Sequence, residues 1–331
     1  MRLVTFVPPE PAGPGYSRLG VLIDGDQAVV DVTGTKHGDS ELASMLELIE
    51  AGPPALEAVA TAAGRPGRDR VAAADGVRLL APLPWPRRIR DLGLLTSHLP
   101  GAFRELARRV AGPDEADIEA EYRRLEQRFG LTRTIRRSPN TLRDHLYISG
   151  PDDEVAAPPY SQELDYELEL GMVVGRTARN VDATAAGSCI FGFTIYNDWT
   201  ARDRQVRNHK VGAGLNEDAK DFDGSNGLGP CIVTADEIGN PNALEGWARV
   251  DGEEWSRGST AEANFTWEHV VADLSRDRAI FAGELWGSGT FRSGSAFEQG
   301  RRLPADCVVE LGIEGIGVLR NRAITPPRQP R

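Results

Sequence analysis

The sequence predicts a mixed α+β chain: a rolled, mostly β domain preceded by a small α+β unit. Three observations carry that reading. Beyond Leu170 the apolar runs are short and strand-like with few helical stretches between them, which suits a rolled mixed sheet better than a doubly wound one. Asp251-Gly252, between strand-like residues 247–250 and 253–256, is a two-residue hairpin signal. Pro82-Leu83-Pro84-Trp85-Pro86 breaks any regular element and divides the chain into residues 1–80 and 81–331.

Taken in order, residues 3–7 are strand-like, and 19–23 and 28–32 flank the turn Asp24-Gly25-Asp26-Gln27, predicting a hairpin. Ser40 is placed to cap a short helix over 41–49 that stops at Gly52-Pro53-Pro54. The alanine-rich 56–63 predicts a second helix, and 77–80 a strand. Nothing in this unit has an evident chemical task, and it reads as a packing cap. Residues 102–137 are charged and helical in pattern, with Ile118, Tyr122, Leu125 and Phe129 at helical spacing after Pro113-Asp114-Glu115. Further on, 266–274 reads as a helix, and 285–286, 297–298, 308–312 and 317–321 as short strands.

Composition excludes some classes. The chain has 331 residues, 40% of them hydrophobic and 26% charged, as in an ordinary globular protein. A formal charge of −11 argues against a nucleic-acid surface, which needs a basic stripe. No segment has the apolar length to cross a bilayer, and Met1-Arg2-Leu3-Val4 does not read as a signal peptide. Cys189, Cys231 and Cys307 are scattered in apolar stretches without metal-type spacing, which suits buried free thiols and a cytoplasmic location.

The chemistry is carried by acids. In Asp165-Tyr166-Glu167-Leu168-Glu169-Leu170-Gly171, strand alternation puts Glu167 and Glu169 on one face and Leu168 and Leu170 on the other. Such a pair suits either a wet antiparallel face or a cation held between the carboxylates. Some thirty residues on, the run Phe191-Gly192-Phe193-Thr194-Ile195-Tyr196-Asn197-Asp198 ends in a third acid, placed either to cap the next helix or to join the first two. Arg202 and Gln205, three apart on the predicted helical turn that follows, point to the same side.

Asp-Tyr-Glu-Leu-Glu, Tyr-Asn-Asp-Trp-Thr-Ala-Arg-Asp, Lys220-Asp221-Phe222 before Leu228-Gly229-Pro230, Gly287-Ser288-Gly289-Thr290, and Glu314 to Asn321 occur in an order that resembles the fumarylacetoacetate hydrolase family. The blocks run from Leu80 to about Ala323. The resemblance implies a β-roll-like catalytic domain behind a smaller N-terminal domain, a homodimer, and a mobile lid over 102–137. It implies one divalent cation, Mg²⁺ or Mn²⁺ with Ca²⁺ also admitted, on Asp91, Glu167, Glu169 and Asp198. It implies that His98, seven residues after Asp91, transfers protons and that Glu298 pairs with it to activate water. Leu92, Leu94 and Thr96 depart from the family pattern around that histidine, and Gln299 and Gly300 depart from it after the glutamate. Lys220 would stabilise negative charge, while Arg202, Gln205 and Thr290 would hold a substrate carboxylate and keto oxygen. His209 stands where some relatives carry a tyrosine, and would touch substrate.

The expected reaction is hydrolysis of a C–C bond in an acylpyruvate or 1,3-dicarbonyl acid. The alternative is decarboxylation or isomerisation of a 2-oxo dicarboxylic acid through an enolate. A binding or scaffold protein that kept the fold and lost the reaction is the reading from a different class.

Overall fold

The computed structural model describes residues 1–8, 17–67, 71–129 and 140–325. The expected lid therefore lies only partly within view, since Gly130 and the rest of 130–137 fall outside the described residues.

One large sheet organises the molecule. Its strands run in the order Val71–Ala73, Ala28–Asp31, Arg18–Ile23, Arg2–Val7, Asn226–Thr234, Ile190–Asp198, Leu168–Val174, Glu284–Gly287, Arg88–Leu92 and Asn140–Arg143. Every residue of Leu168–Val174 is buried, so both faces of the sheet are covered there. Alternation divides that strand between two cores: Leu168, Leu170, Met172 and Val174 enter one apolar cluster and Val173 the other. A second sheet of five strands, Glu154–Ala156, Gly317–Ile324, Asp306–Ile313, Glu245–Val250 and Glu253–Ser259, packs on the first.

The N-terminal strands extend the same large sheet, because Arg2 and Leu3 pair antiparallel with Val233 and Ile232. Helices α1 (Met45–Ala51) and α2 (Pro53–Gly64) cover that end, with Leu48, Ile49 and Val59 sharing a cluster with Val173, Tyr196 and Leu285. Asp24, Gly25 and Asp26 take positive φ in the hairpin turn, and Asp251-Gly252 does so in the other.

Three elements differ from expectation. Ser40-Glu41 is a two-residue strand against Lys36-His37, and Ser44 caps α1 by accepting from the Glu47 N–H at 3.2 Å. Glu47 in turn accepts from the Ala43 N–H at 2.8 Å, and this mutual capping moves the helix start four residues past the expected one. Residues 297–298 belong to a 3₁₀ turn, Phe297–Gln299, rather than a strand. The expected helical segment is two helices, α3 (Leu99–Ala111) and α4 (Glu115–Phe129), separated where Gly112 takes φ 91° ahead of Pro113. They pack on each other, and α3 also packs on the 297–299 turn and on α5 (Arg202–Lys210), while α6 (Trp267–Leu274), capped by Thr266, lies on the main core. No described helix is long and apolar enough to cross a membrane. All three cysteines are buried and free.

Candidate active site

A cavity of about 350 Å³ opens where the large sheet meets α3, and it is lined by Asp91, His98, Glu167, Glu169, Arg202, Gln205, Lys220 and Thr290 among others. Sheet register assembles its acidic floor. Leu168 lies opposite Asn197, Gly171 opposite Gly287, and Gly287 opposite Asp91, so adjacent strands deliver Asp198, Glu169 and Asp91 to one end. Carboxylate oxygens of these three lie within 4.8 Å of one another. Gly287 makes room for this: a Cβ there would sit 2.4 Å from Glu169 Oε2 and 2.7 Å from the Tyr196 ring. Glu169 accepts from the Gly289 N–H at 3.0 Å and the Thr290 hydroxyl at 3.4 Å. Burial, then repulsion from Asp91 and Asp198, pushes its carboxyl well above the usual range. Asp91 is pushed up to about 6 by burial, against the pull of Arg143.

Glu167 has the opposite surroundings. Burial pushes it up, but Lys220 Nζ at 2.6 Å and Arg202 Nη2 at 2.7 Å outweigh that and hold it well below the usual carboxylate range. It is not one of the three acids that converge, although it lines the same cavity. Lys220 Nζ also reaches Asp198 Oδ2 at 2.7 Å. Arg202 Nε donates to Asp165 at 2.7 Å and its Nη1 to Gln205 Oε1 at 2.8 Å, so Arg202 and Gln205 do share a side.

Two residues that sequence reasoning missed complete the charge pattern. Arg143 donates from Nη2 to Asp91 Oδ2 at 2.5 Å and to Asp198 Oδ2 at 3.0 Å. Asp165 accepts from the Ala296 and Phe297 N–H groups at 3.0 and 3.1 Å as well as from Arg202, fixing the 297–299 turn to the floor. Nothing in the sequence around Arg143 signals this role, whereas Asp165 was visible as the first letter of the Asp-Tyr-Glu-Leu-Glu block. The five carboxylates Asp91, Asp165, Glu167, Glu169 and Asp198 thus face three cations, Arg143, Arg202 and Lys220. With all five ionised the formal deficit is two charges, which one divalent cation would supply, and oxygen donors suit a hard ion. The residues present fit such an ion.

His98 stands at the start of α3 and lines the cavity. Burial lowers its imidazole to about 4, and its Nδ1 is buried without a partner among the described residues. Glu298 packs against α3 one turn on: a Cβ on Gly101 would lie 2.5 Å from its Cγ and 3.1 Å from Oε1. Burial raises Glu298 to about 7, and its Oε2 likewise has no partner. No hydrogen bond joins His98 to Glu298, so the expected pair lies on one side of α3 with two unmet polar atoms rather than as a direct contact. His209 differs from expectation. It does not line the cavity, and its Nε2 lies 2.6 Å from Glu121 Oε1 of α4, because the turn of α5 that carries it faces the helical hairpin.

Residues 133–324 match the family model described as the fumarylacetoacetate (FAA) hydrolase C-terminal region. The chain belongs to the fumarylacetoacetate hydrolase family. Relatives of this chain are named as a hydrolase and a tautomerase, so the family includes enzymes. The human protein Oxaloacetate tautomerase FAHD2A, mitochondrial, is 35% identical over 183 residues, which cover 54% of this chain and 56% of that protein. The matched region thus spans little more than half the length of that relative. The fumarylacetoacetate hydrolase of Exiguobacterium antarcticum shares the fold with a TM-score of 0.70 and 26% identity over 98% of this chain and 100% of that one. Maleylpyruvate hydrolase from Sphingobium sp. SYK-6, solved with manganese(II) and pyruvate, has a TM-score of 0.69 over 99% of this chain and 100% of that one. At 20% identity, that last likeness is one of fold.

Proposed function

We propose that this protein is a divalent-cation-dependent hydrolase that cleaves a C–C bond in an acylpyruvate or 1,3-dicarbonyl acid. The observation that carries the reading is the formal two-charge deficit at the floor of a cavity that His98 also lines. A bound Mg²⁺ or Mn²⁺, held by Asp91, Glu169 and Asp198 with Glu167 beside them, supplies Lewis-acid stabilisation of charge developing on the substrate's oxygens. The manganese and pyruvate held by the Sphingobium relative support that assignment.

Within this reading the chain's own groups divide the work. Arg202 and Gln205 orient the 2-oxo acid end, and Thr290 donates its hydroxyl to the carboxylate. Lys220 adds positive charge where the keto oxygen gains electrons. His98, neutral near pH 7, takes a proton from water, with Glu298 as its acidic neighbour. The water oxygen bonds to the acyl carbon, the C–C bond breaks, and its electron pair goes to the pyruvate-side carbon. That carbon takes the proton back, leaving a carboxylic acid and pyruvate.

Isomerisation or decarboxylation of a 2-oxo dicarboxylic acid is the second reading, favoured by the likeness to oxaloacetate tautomerase. It needs proton transfer without water attack. A panel of acylpyruvates and 2-oxo dicarboxylates, assayed with Mg²⁺ or Mn²⁺ and again after chelation, separates the two. A scaffold without chemistry would show no cation-dependent rise in Tm, because only binding to the native state raises it. A homodimer belongs to the same reading and is checked by sedimentation. So does a reducing compartment, the cytoplasm first.

A further inference from the structure

The cavity has two unlike ends. The five carboxylates and three cations of the floor gather at the sheet end. The α3 wall is mostly apolar: Leu99, Ala102, Phe103 and Leu106 recur along α3 at the spacing that shares one helix face, and Phe129 and Leu215, beside the neutral Asn216, also line the cavity. The Phe103 and Phe129 rings are 5.2 Å apart and tilted by 43°. Phe129 stays 42% exposed, which puts an aromatic ring at the cavity mouth.

The cations that line the cavity are already engaged. Arg143 carries Asp91 and Asp198, Arg202 carries Asp165 and Glu167, and Lys220 carries Glu167 and Asp198. Among the described residues, no further Lys or Arg lines the cavity on the α3 side. Among the described residues, a second carboxylate pushed to that end would lose water and meet no unengaged Lys or Arg, whereas an alkyl or aryl group would gain burial.

We propose that the α3 and Phe129 wall is the subsite for the acyl substituent, and that the substrate carries an apolar chain or ring there rather than a second carboxylate. The inference rests on the proposed function for which end of the molecule reacts.

Two measurements test it. The first compares kcat/KM for hexanoylpyruvate and maleylpyruvate with Mg²⁺; a preference of about tenfold or more for the hexanoyl compound is expected. The second titrates the Mg²⁺-loaded protein with 2-oxooctanoate and 2-oxoglutarate, which carry no cleavable bond of this type, and expects the octanoate to bind more tightly. Phe129→Arg, at a position 42% exposed, should reduce both preferences by about tenfold with the fold checked by its urea transition, and Phe129→Leu should retain them. Tighter binding or faster cleavage of the carboxylate-tailed acids by the wild-type protein overturns the subsite, as do unchanged ratios in Phe129→Arg. If no acid is cleaved but the octanoate still binds better, the hydrolase reading fails and the subsite stands. If cleavage occurs and favours maleylpyruvate, the subsite fails and the hydrolase reading stands.

Discussion

The floor and the roof of the cavity are built by different means. The floor stands on strand ends, where backbone pairing sets each carboxylate and neighbours hold it: Glu169 by the Gly289 N–H, Glu167 by Lys220 and Arg202, Asp165 by two N–H groups. The roof is a helical hairpin tied down by apolar contacts and by side-chain pairs such as Glu121 with His209 and Arg109 with Glu163. The difference separates reaction from selection. The carboxylates that would hold charge depend on register, while the surface that meets the variable part of a ligand depends on side chains a single substitution can alter.

Changes in the floor should therefore cost most. Glu169→Ala is expected to abolish cation-dependent turnover and the Mg²⁺-induced rise in Tm while the apoprotein still folds, since one of several repelling acids is gone. Full activity in that variant, with or without chelator, would remove the assignment. His98→Ala should lower kcat by about 10²-fold with a smaller change in KM, measured at saturating substrate. Because burial raises Glu298 to about 7, it gains its charge as pH rises through that value, and wild-type kcat should climb with it. Glu298→Gln should lose that limb; a limb that persists assigns it to another group.

Where floor and roof meet, smaller effects are expected. Gly101→Ala places a methyl 2.5 Å from Glu298 Cγ and should displace the carboxylate, lowering kcat by about 10- to 100-fold with little change in Tm. Least of all for chemistry, Glu121→Ala removes the partner of His209 and should reduce stability by about 1–3 kcal/mol in urea unfolding. The Mg²⁺-induced rise in Tm should survive it. Its loss would mean that the floor depends on the roof, and the separation drawn above would fall.

The floor was the more legible part in sequence, for a physical reason. Period-two alternation follows from the backbone, so the opposed faces of Leu168 and Glu169 needed no tertiary information. Arg143 was illegible because its partners are 52 and 55 residues away and its strand, Asn140–Arg143, is otherwise exposed and without an apolar pattern. Gly287 was noticed as part of a glycine motif, but its task as the gap beside Glu169 depends on which strand lies alongside. The turn at 297–299 misled because its anchor, Asp165, is more than a hundred residues away and supplies the bonds that bend it. His209 misled because a helix of nine residues has two used faces, one toward the cavity and one toward α4.

Arg143 has a consequence for how the protein comes into being. Sites whose acids have no internal counter-charge must wait for their ion before the chain can close around them. Here a guanidinium bridges Asp91 and Asp198, and Lys220 reaches Asp198 from the Glu167 side. The nascent chain carries its own placeholder. The chain should therefore fold without the proposed ion, and the chelated protein should keep a cooperative urea transition.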